Sequence, residues 1–245
     1  MNPAPPVTTA RTWARILDSV PGAFVAIEGI DGSGKGTQAG LLVQAAERRS
    51  LSTSLFSFPL YDDNPFSIAI GDYLNGVFGT VDEVHAELAG LLYACDRFHA
   101  RPVLEQAIAA HDLVVCDRYV ASNLAHQGAK LAGDDRERLI RWLTEVEFGE
   151  FELPRPDLVV LLDLAPTAAQ SLVSRKSARS YTAMAADIHE GAREHLASAR
   201  DVYLDLATRD PDRWRVITAG DELDRLRTPD EIAVDVWAAV QPLVR

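Results

Sequence analysis

The stretch from Gly29 to Gln38, GIDGSGKGTQ, has the residue types and the spacing of a loop that binds phosphate. Its glycines let the backbone curl, so that successive N–H groups and the start of a following helix can surround a polyphosphate, while Lys35 adds a positive charge. The pattern GxxxxGK[ST] calls for a hydroxyl after the lysine to hold Mg²⁺, but Gly36 stands there. The segment is therefore predicted to bind the oxygens of a polyphosphate, although it lacks the hydroxyl that the pattern requires.

The segments on either side of this loop have the patterns that such a loop requires. Phe24–Glu28 is a short apolar, β-branched run that is typical of a buried strand. Gln38–Arg49 is rich in helix formers and has apolar residues on one face. The order of strand, glycine-rich turn and helix favours a phosphate site over a chance turn.

Five apolar runs alternate with helical patterns along the chain, which predicts an α/β fold. Continuous apolar strands separated by helices indicate one parallel sheet with helices on both faces, a three-layer sandwich. In such a sheet ligands bind at the carboxyl ends of the strands. The predicted strands are Phe24–Glu28, Ser54–Phe58, Leu113–Asp117, Leu158–Asp163 and Arg215–Thr218, and the predicted longer helices are Asp82–Ala110, Asp134–Glu147, Asp187–Thr208 and Pro229–Val240.

The third strand ends on an acid and a cation, Asp117 and Arg118. At the same edge as the phosphate loop, the carboxylate could orient the waters of Mg²⁺ and the guanidinium could grip a second phosphate bidentately. An Asp–Arg pair alone is more often a structural ion pair. Its position at a strand end, in a chain with a phosphate loop, favours a binding role.

Composition narrows the classes of partner. The 245 residues carry a net charge of −12, so neither nucleic acid nor an anionic membrane is expected as the main partner. Two cysteines are too few for a disulfide framework, which predicts reduced thiols and a cytoplasmic location. The N-terminal residues contain no apolar core of signal-peptide length, and no segment approaches the apolar length of a membrane span. Residues 1–20 are predicted to be an N-terminal extension, and residues 21–245 a single domain.

Several motifs together resemble the thymidylate kinases, a family of P-loop nucleoside monophosphate kinases. The resemblance covers about Phe24 to Ala207 and rests on the order of the motifs, since the phosphate loop alone is shared by many nucleotide-binding families. The motifs are EGIDGSGKGTQ, the Phe58–Pro59 pair, LLYACDR, DRYVASNLAHQGA, LPRPDLVVLLDLAP and DIHE.

The resemblance implies a P-loop NTPase-type fold with a small lid at about residues 174–187, and ATP-dependent conversion of dTMP to dTDP. It also implies Mg²⁺ as cofactor and a homodimer formed by helices beside the acceptor site. Such a kinase brings two polyanions together, and the ionised acceptor phosphate needs no general base.

The resemblance also assigns roles residue by residue. Lys35, Asp31, Arg118 and the lid cations Arg175 and Arg179 would be catalytic, with the lid stabilising charge on the transferred group. Tyr93 would stack on thymine, Arg97 would reach a thymine carbonyl, and Asn123 and Gln127 would approach the base. The residues implied to bind ATP are Gly29, Ile30, Asp31, Gly32, Ser33, Gly34, Lys35, Gly36, Thr37 and Lys176. The residues implied to bind the acceptor are Asp31, Phe58, Tyr93, Arg97, Asp117, Arg118, Asn123, His126 and Gln127.

Helical spacing supports the pairing of Tyr93 with Arg97, because residues four apart share a face. A different stripe, which contains Val84, Leu88, Leu91, Cys95 and Phe98, is expected to pack on the core.

The sequence departs from the family at three places. Gly36 replaces the usual hydroxyl residue, Leu60 and Tyr61 stand where an arginine often follows the Phe58–Pro59 pair, and His126 replaces a tyrosine that crowds the sugar 2′ position. Two alternatives therefore stay open. One is a kinase for another monophosphate or for a deoxynucleoside. A deoxynucleoside kinase needs a carboxylate base to deprotonate the sugar hydroxyl, and Glu28 is the only obvious candidate for it in the sequence. The other is a nucleotide-binding regulatory protein without transfer activity.

Overall fold

A computed structural model of the protein describes residues 22–61, 64–80, 83–177, 187–220 and 226–244, with side chains left undescribed from 173 to 192. Strands alternate with helices along the chain. The strands are β1 (Ala23–Glu28), β2 (Thr53–Ser57), β3 (Leu113–Asp117), β4 (Leu158–Asp163) and β5 (Trp214–Thr218). The helices are α1 (Lys35–Glu47), α2 (Pro65–Leu74), α3 (Ala86–Ala110), α4 (Val120–Gly128), α5 (Gly133–Glu145), α6 (Pro166–Ser177), α7 (Asp187–Arg209) and α8 (Pro229–Val240).

The five strands form one parallel sheet in the order β2-β3-β1-β4-β5. The order places β1 at the centre, between β3 and β4, with Ile27 opposite Asp117 across the β1–β3 pair. Because all strands run the same way, their carboxyl ends meet at one edge. The loop after β1 and the acid–cation pair after β3 are therefore neighbours, and the predicted parallel sheet is confirmed.

Both faces of the sheet are covered, as the apolar runs predicted. Side chains alternate along β1: Val25 and Ile27 face a core with α1, α7 and α8, whereas Phe24 and Ala26 face a core with α3 and α5. These two apolar layers on either side of the strands account for the continuous hydrophobic runs in the sequence.

One helix and several boundaries differ from the sequence expectation, among them the start of α3, which lies at Ala86 and not at Asp82. The helix α2 was not predicted; Asn64 caps it by accepting hydrogen bonds from Phe66 and Ser67, and Pro65 occupies its first turn. The helix α1 begins at Lys35, three residues earlier than the predicted start at Gln38, because the phosphate loop runs straight into it. The predicted helix Asp134–Glu147 ends at Glu145 and continues as a π turn, Val146–Glu150.

The apolar stripe expected on the core side of α3 was assigned wrongly. Leu88 is 64% exposed and Phe98 is 45% exposed. The buried face of α3 instead carries small residues such as Ala89, Gly90 and Ala94. A Cβ at Gly90 would lie 2.8 Å from a methyl carbon of Leu143, so small residues are what allow α3 and α5 to approach closely.

Within the described part of the chain, no helix combines the length and the apolar character that crossing a membrane would need.

Candidate active site

The phosphate loop joins β1 to α1 and depends on glycine at its first position. Gly29 has a φ of +144°, and a Cβ there would lie 2.6 Å from the carbonyl oxygen of Leu162 on β4. Any larger residue would therefore collide with the neighbouring strand. Gly34, with a φ of +91°, turns the chain into the first residue of α1.

Lys35 is held inside the loop. Its side chain is almost buried, and Nζ donates a hydrogen bond to the carbonyl oxygen of Ile30 at 2.9 Å. Burial, and after it the charge of Arg118, lower the pKa of Lys35 to about 7, although the charges of Asp31 and Asp117 oppose the shift. A bound polyphosphate would supply the negative charge that favours the ammonium form.

The structure gives a physical reason for Gly36. A Cβ at this position would lie 2.8 Å from Oδ2 of Asp117, so the carboxylate occupies the space that a serine or threonine side chain would need. The other oxygen, Oδ1, is buried and has no partner among the described residues. Asp117, predicted with the acceptor residues, thus lines the cavity of the phosphate loop.

We call this space the loop cavity; its volume is about 870 Å³. The phosphate loop lines one end, with Asp31, Gly32, Ser33, Gly34, Lys35 and Thr37. The other end is largely apolar and is lined by Leu164, Leu172, Ala219, Leu226, Pro229 and Ile232, together with Arg227. A triphosphate with an attached aromatic base would match this distribution of polar and apolar surface.

Arg118 lies where the loop cavity meets a second cavity. It has a φ of +67°, a conformation unusual for a side-chain-bearing residue. Its guanidinium forms an ion pair with Asp31 and donates to Ser122 Oγ at 3.3 Å. Burial raises the pKa of Asp31, but the nearby charges, with Arg118 the strongest, and the hydrogen bond from Arg118 together outweigh burial and lower the pKa to about 2. The side chains of Asp31 and Arg118 each line both cavities, so this charged pair lies at the junction between them.

We call the second space the acceptor cavity; its volume is about 320 Å³. The acceptor cavity brings together eight of the residues that the resemblance implied, namely Asp31, Phe58, Tyr93, Arg97, Arg118, Asn123, His126 and Gln127. Seven other described residues also line the cavity, and the sequence did not mark them as ligand-binding. The seven others are Pro59, Tyr61, Tyr73, Leu74, Ser122, Lys130 and His195.

Two buried acids hold the walls of the acceptor cavity. Asp96 accepts from the Leu60 backbone N–H at 3.0 Å and from Asn64 Nδ2 at 2.7 Å, which ties the segment after β2 to α3. Glu147, on the π turn, forms a bidentate ion pair with Arg97 at 2.5 and 2.7 Å. Neither acid was assigned a role from the sequence, although Asp96 lies within the LLYACDR motif, because an acidic residue in a helical pattern usually faces water.

Glu28 is fully buried beneath the junction of the two cavities and is saturated with donors. Its carboxylate accepts from the Tyr119 backbone N–H at 2.7 Å, from Ser122 Oγ at 2.6 Å and from Tyr203 Oη at 3.1 Å. Burial raises its pKa, while these contacts partly offset the shift. This carboxylate holds β1, α4 and α7 together, which argues against the alternative in which it deprotonates a sugar hydroxyl.

His126 belongs to a chain of polar groups beside Arg118. Its Nε2 lies 3.4 Å from Arg118 Nη1, and its Nδ1 lies 3.4 Å from Nε2 of His195 on α7. Burial lowers the pKa of His126 to about 3, with the charge of Arg118 acting in the same direction. The ring is therefore neutral at physiological pH.

The structure describes the predicted lid cations only in part. The backbone of Arg175 and Lys176 belongs to the last turn of α6, but their side chains, and Arg179 altogether, lie outside the described residues. The same holds for most of the predicted lid, 174–187, and for the predicted N-terminal extension.

Comparison with known proteins gives a consistent result. The sequence model of the family "Thymidylate kinase" matches residues 27–228. A thymidylate kinase of Mycobacterium tuberculosis is 32% identical over 204 residues, which cover 83% of this chain and 94% of that protein. A thymidylate kinase of Rhodopseudomonas palustris is 33% identical over 229 residues, which cover 91% of this chain and 90% of that protein.

The fold also matches a solved structure. The thymidylate kinase of Candida albicans, which has broad substrate specificity, superimposes with a TM-score of 0.66 and 24% identity. The match covers 91% of this chain and 93% of that chain. At that identity the likeness shows the fold alone. The family match and the two bacterial relatives carry the assignment, and the chain belongs to the thymidylate kinase family of phosphotransferases.

Proposed function

We propose that the protein transfers the γ-phosphoryl group of ATP to dTMP and releases ADP and dTDP. One observation carries the proposal: a cavity lined by the phosphate loop and by apolar side chains meets a smaller cavity with aromatic and amide walls at one ion pair, Asp31–Arg118. Two substrates in these cavities would bring their phosphates together at Arg118.

The chemistry needs positioning and charge more than it needs proton transfer. The attacking group would be an ionised phosphate oxygen of dTMP, which requires no base. Lys35 and the backbone N–H groups of the loop would hold the phosphates of ATP, and Arg118 would hold the acceptor phosphate in line with them. Asp31 would keep the guanidinium oriented through their ion pair.

The residues at the loop fit a magnesium ion bound together with ATP. Asp117 Oδ1 is a buried oxygen without a partner among the described residues, and carboxylate oxygen is a ligand type that Mg²⁺ prefers. Asp117 and Thr37 would hold the ion or its waters. When bound, the ion neutralises charge on the transferred phosphate.

On the same basis we propose the extent of the domain, the action of the lid and the location of the protein in the cell. Residues 21–245 would form a single kinase domain, preceded by an extension of about twenty residues. The lid, with Arg175, Lys176 and Arg179, would close over ATP. The protein would act in the cytoplasm.

The test is a coupled assay that supplies ATP and Mg²⁺ with dTMP, dUMP, dCMP, AMP or thymidine in parallel. We expect turnover of dTMP above all other acceptors and none of thymidine, because Glu28 is committed to structure. Turnover of thymidine, or preference for another monophosphate, would replace the proposed substrate. Tight ATP binding without turnover of any acceptor would favour the regulatory alternative.

We also propose a homodimer formed through α3. The exposed stripe on this helix, with Leu88 and Phe98, is apolar surface that a second copy could cover. Sedimentation velocity should give a dimer for the wild type and a monomer for Leu88→Arg. Val234, on α8, is 67% exposed and provides a matched control, since Val234→Arg should leave the dimer intact. A wild-type monomer at micromolar concentration would refute the dimer.

A further inference from the structure

The buried carboxylate of Glu147 contacts two side chains that line the acceptor cavity. It accepts from Arg97 Nε at 2.5 Å and Nη2 at 2.7 Å, and from Asn123 Nδ2 at 2.8 Å. Glu147 itself does not line the cavity and is completely buried. It therefore acts on a ligand only through the two residues that it holds.

The bidentate contact fixes the direction of the Arg97 guanidinium. Its Nε and Nη2 edge is committed to Glu147, so the Nη1 end is the part that can donate into the cavity. Burial alone would lower the pKa of Arg97, but the charge of Glu147 and its hydrogen bonds to Arg97 together help to raise it above its ordinary value. Arg97 thus remains a charged hydrogen-bond donor in a buried position.

The contact with Asn123 fixes which end of its amide is presented to a ligand. Its Nδ2 donates both to Glu147 and to the carbonyl oxygen of Gly90 at 2.9 Å. Because both partners can only accept, the nitrogen must point towards them. The Oδ1 atom is buried and has no partner among the described residues, so it is an acceptor that awaits a donor.

The cavity therefore offers a fixed donor, on Arg97, and a fixed acceptor, on Asn123. Thymine and uracil carry the complement side by side, a carbonyl at C4 and an N–H at N3. Cytosine has an amino group at C4 and an unprotonated N3, so it would set donor against donor and acceptor against acceptor. A buried polar group left unpaired strongly disfavours the wrong base.

We propose that Glu147 is the positioning residue that makes the acceptor cavity selective for a pyrimidine with a C4 carbonyl and an N3 hydrogen. The inference rests on the proposed function, since it concerns the base of the same acceptor. It assigns selectivity to a residue on the π turn after α5, outside the cavity itself.

The test is Glu147→Gln, which preserves shape and replaces one acceptor oxygen with a donor. The glutamine amide has one acceptor oxygen and cannot accept from all three N–H groups, so at least one hydrogen bond to Arg97 or Asn123 is lost. We expect KM for dTMP to rise at least about tenfold with kcat little changed, and the preference for dTMP over dCMP to fall by a similar factor. ATP affinity, measured by calorimetry, should not change.

Glu105→Gln is the matched control. Glu105 pairs with Arg101 on the same helix as Arg97, at 2.7 Å, but this pair is exposed and lies outside the acceptor cavity. The control should leave KM and selectivity as in the wild type. If Glu147→Gln raises KM equally for dTMP and dCMP, or changes neither, Glu147 has only a structural role and the proposal is overturned.

A double variant covers the case in which Glu147→Gln does not fold. Arg97→Met with Glu147→Met removes both charges together, and such replacements of buried ion pairs are often neutral or stabilising. It should fold, bind ATP and lose most of its preference for dTMP over dCMP; retained preference would overturn the proposal. Failure of the wild type to phosphorylate any pyrimidine monophosphate would instead refute the proposed function.

Discussion

The two cavities are built from different parts of the protein. The loop cavity takes its phosphate end from one continuous segment, whose backbone N–H groups and single buried lysine surround the space. The acceptor cavity is lined by side chains from α2, α3, α4 and α7 and from the segment after β2. Substitutions should therefore damage the loop cavity mainly by intruding on backbone or removing charge, whereas the acceptor cavity also depends on residues behind its walls.

The largest effects are expected at the buried lysine of the phosphate loop and at the arginine where the two cavities meet. Lys35→Ala and Arg118→Ala should each lower kcat by at least about a hundredfold, because each removes a charge held in place for the transferred group. Steady-state kinetics would measure this loss, and circular dichroism would check the fold. Near-normal turnover in either variant would remove that residue from the mechanism.

A smaller effect is expected from a single methyl group in the loop. Gly36→Ala places a Cβ where Asp117 Oδ2 now lies, so the carboxylate must move. We expect kcat to fall by about tenfold, the low end of what one misplaced charge contact costs. The melting temperature should hold or rise, because alanine favours a helix more than glycine does. Unchanged kcat would show that the position of Asp117 does not matter.

Proton uptake on ATP binding would show whether Lys35 becomes protonated when the phosphates enter the loop. The pKa of Lys35 is about 7 in the empty loop, so at pH 8 the amine is mostly neutral. ATP favours the ammonium form, so binding should take up a proton, and the apparent affinity should fall as pH rises above about 7.

Calorimetry at pH 8 in buffers with different ionisation enthalpies measures this uptake. Lys35→Arg, which stays charged, should abolish it. Equal binding enthalpies for the wild type in all buffers would contradict the account.

The smallest effect is expected from His126 in the acceptor cavity. Because its pKa is lowered to about 3, the ring is neutral from pH 6 to 8 and contributes no ionisation there. His126→Gln should therefore leave the pH dependence of kcat unchanged between pH 6 and 8. A wild-type inflection that disappears in the variant would show that His126 titrates during catalysis.

The same difference between the cavities explains what the sequence could predict. The phosphate loop is local, so its residues and its flanking strand and helix could be recognised from spacing, and the alternation of apolar runs predicted the parallel sheet. The acceptor cavity needs contacts between distant elements. Glu147, fifty residues from Arg97 along the chain, has no local pattern that marks it.

The exposed apolar stripe on α3 was misread for a related reason. Hydrophobic periodicity identifies an apolar face but does not say what covers it. In this helix the small residues, which give a weak signal, form the buried face. The role of Gly36 likewise required the position of Asp117, which only the fold supplies.

The most direct test of the account is calorimetric binding of a single molecule in which adenosine and thymidine are joined through five phosphates. If Lys35 and Arg118 face one reaction centre between the two cavities, this molecule should bind with a stoichiometry of one and at least about a hundredfold more tightly than ATP or dTMP, since linking removes the cost of bringing two ligands together. Affinity no better than that of ATP alone would contradict a shared centre.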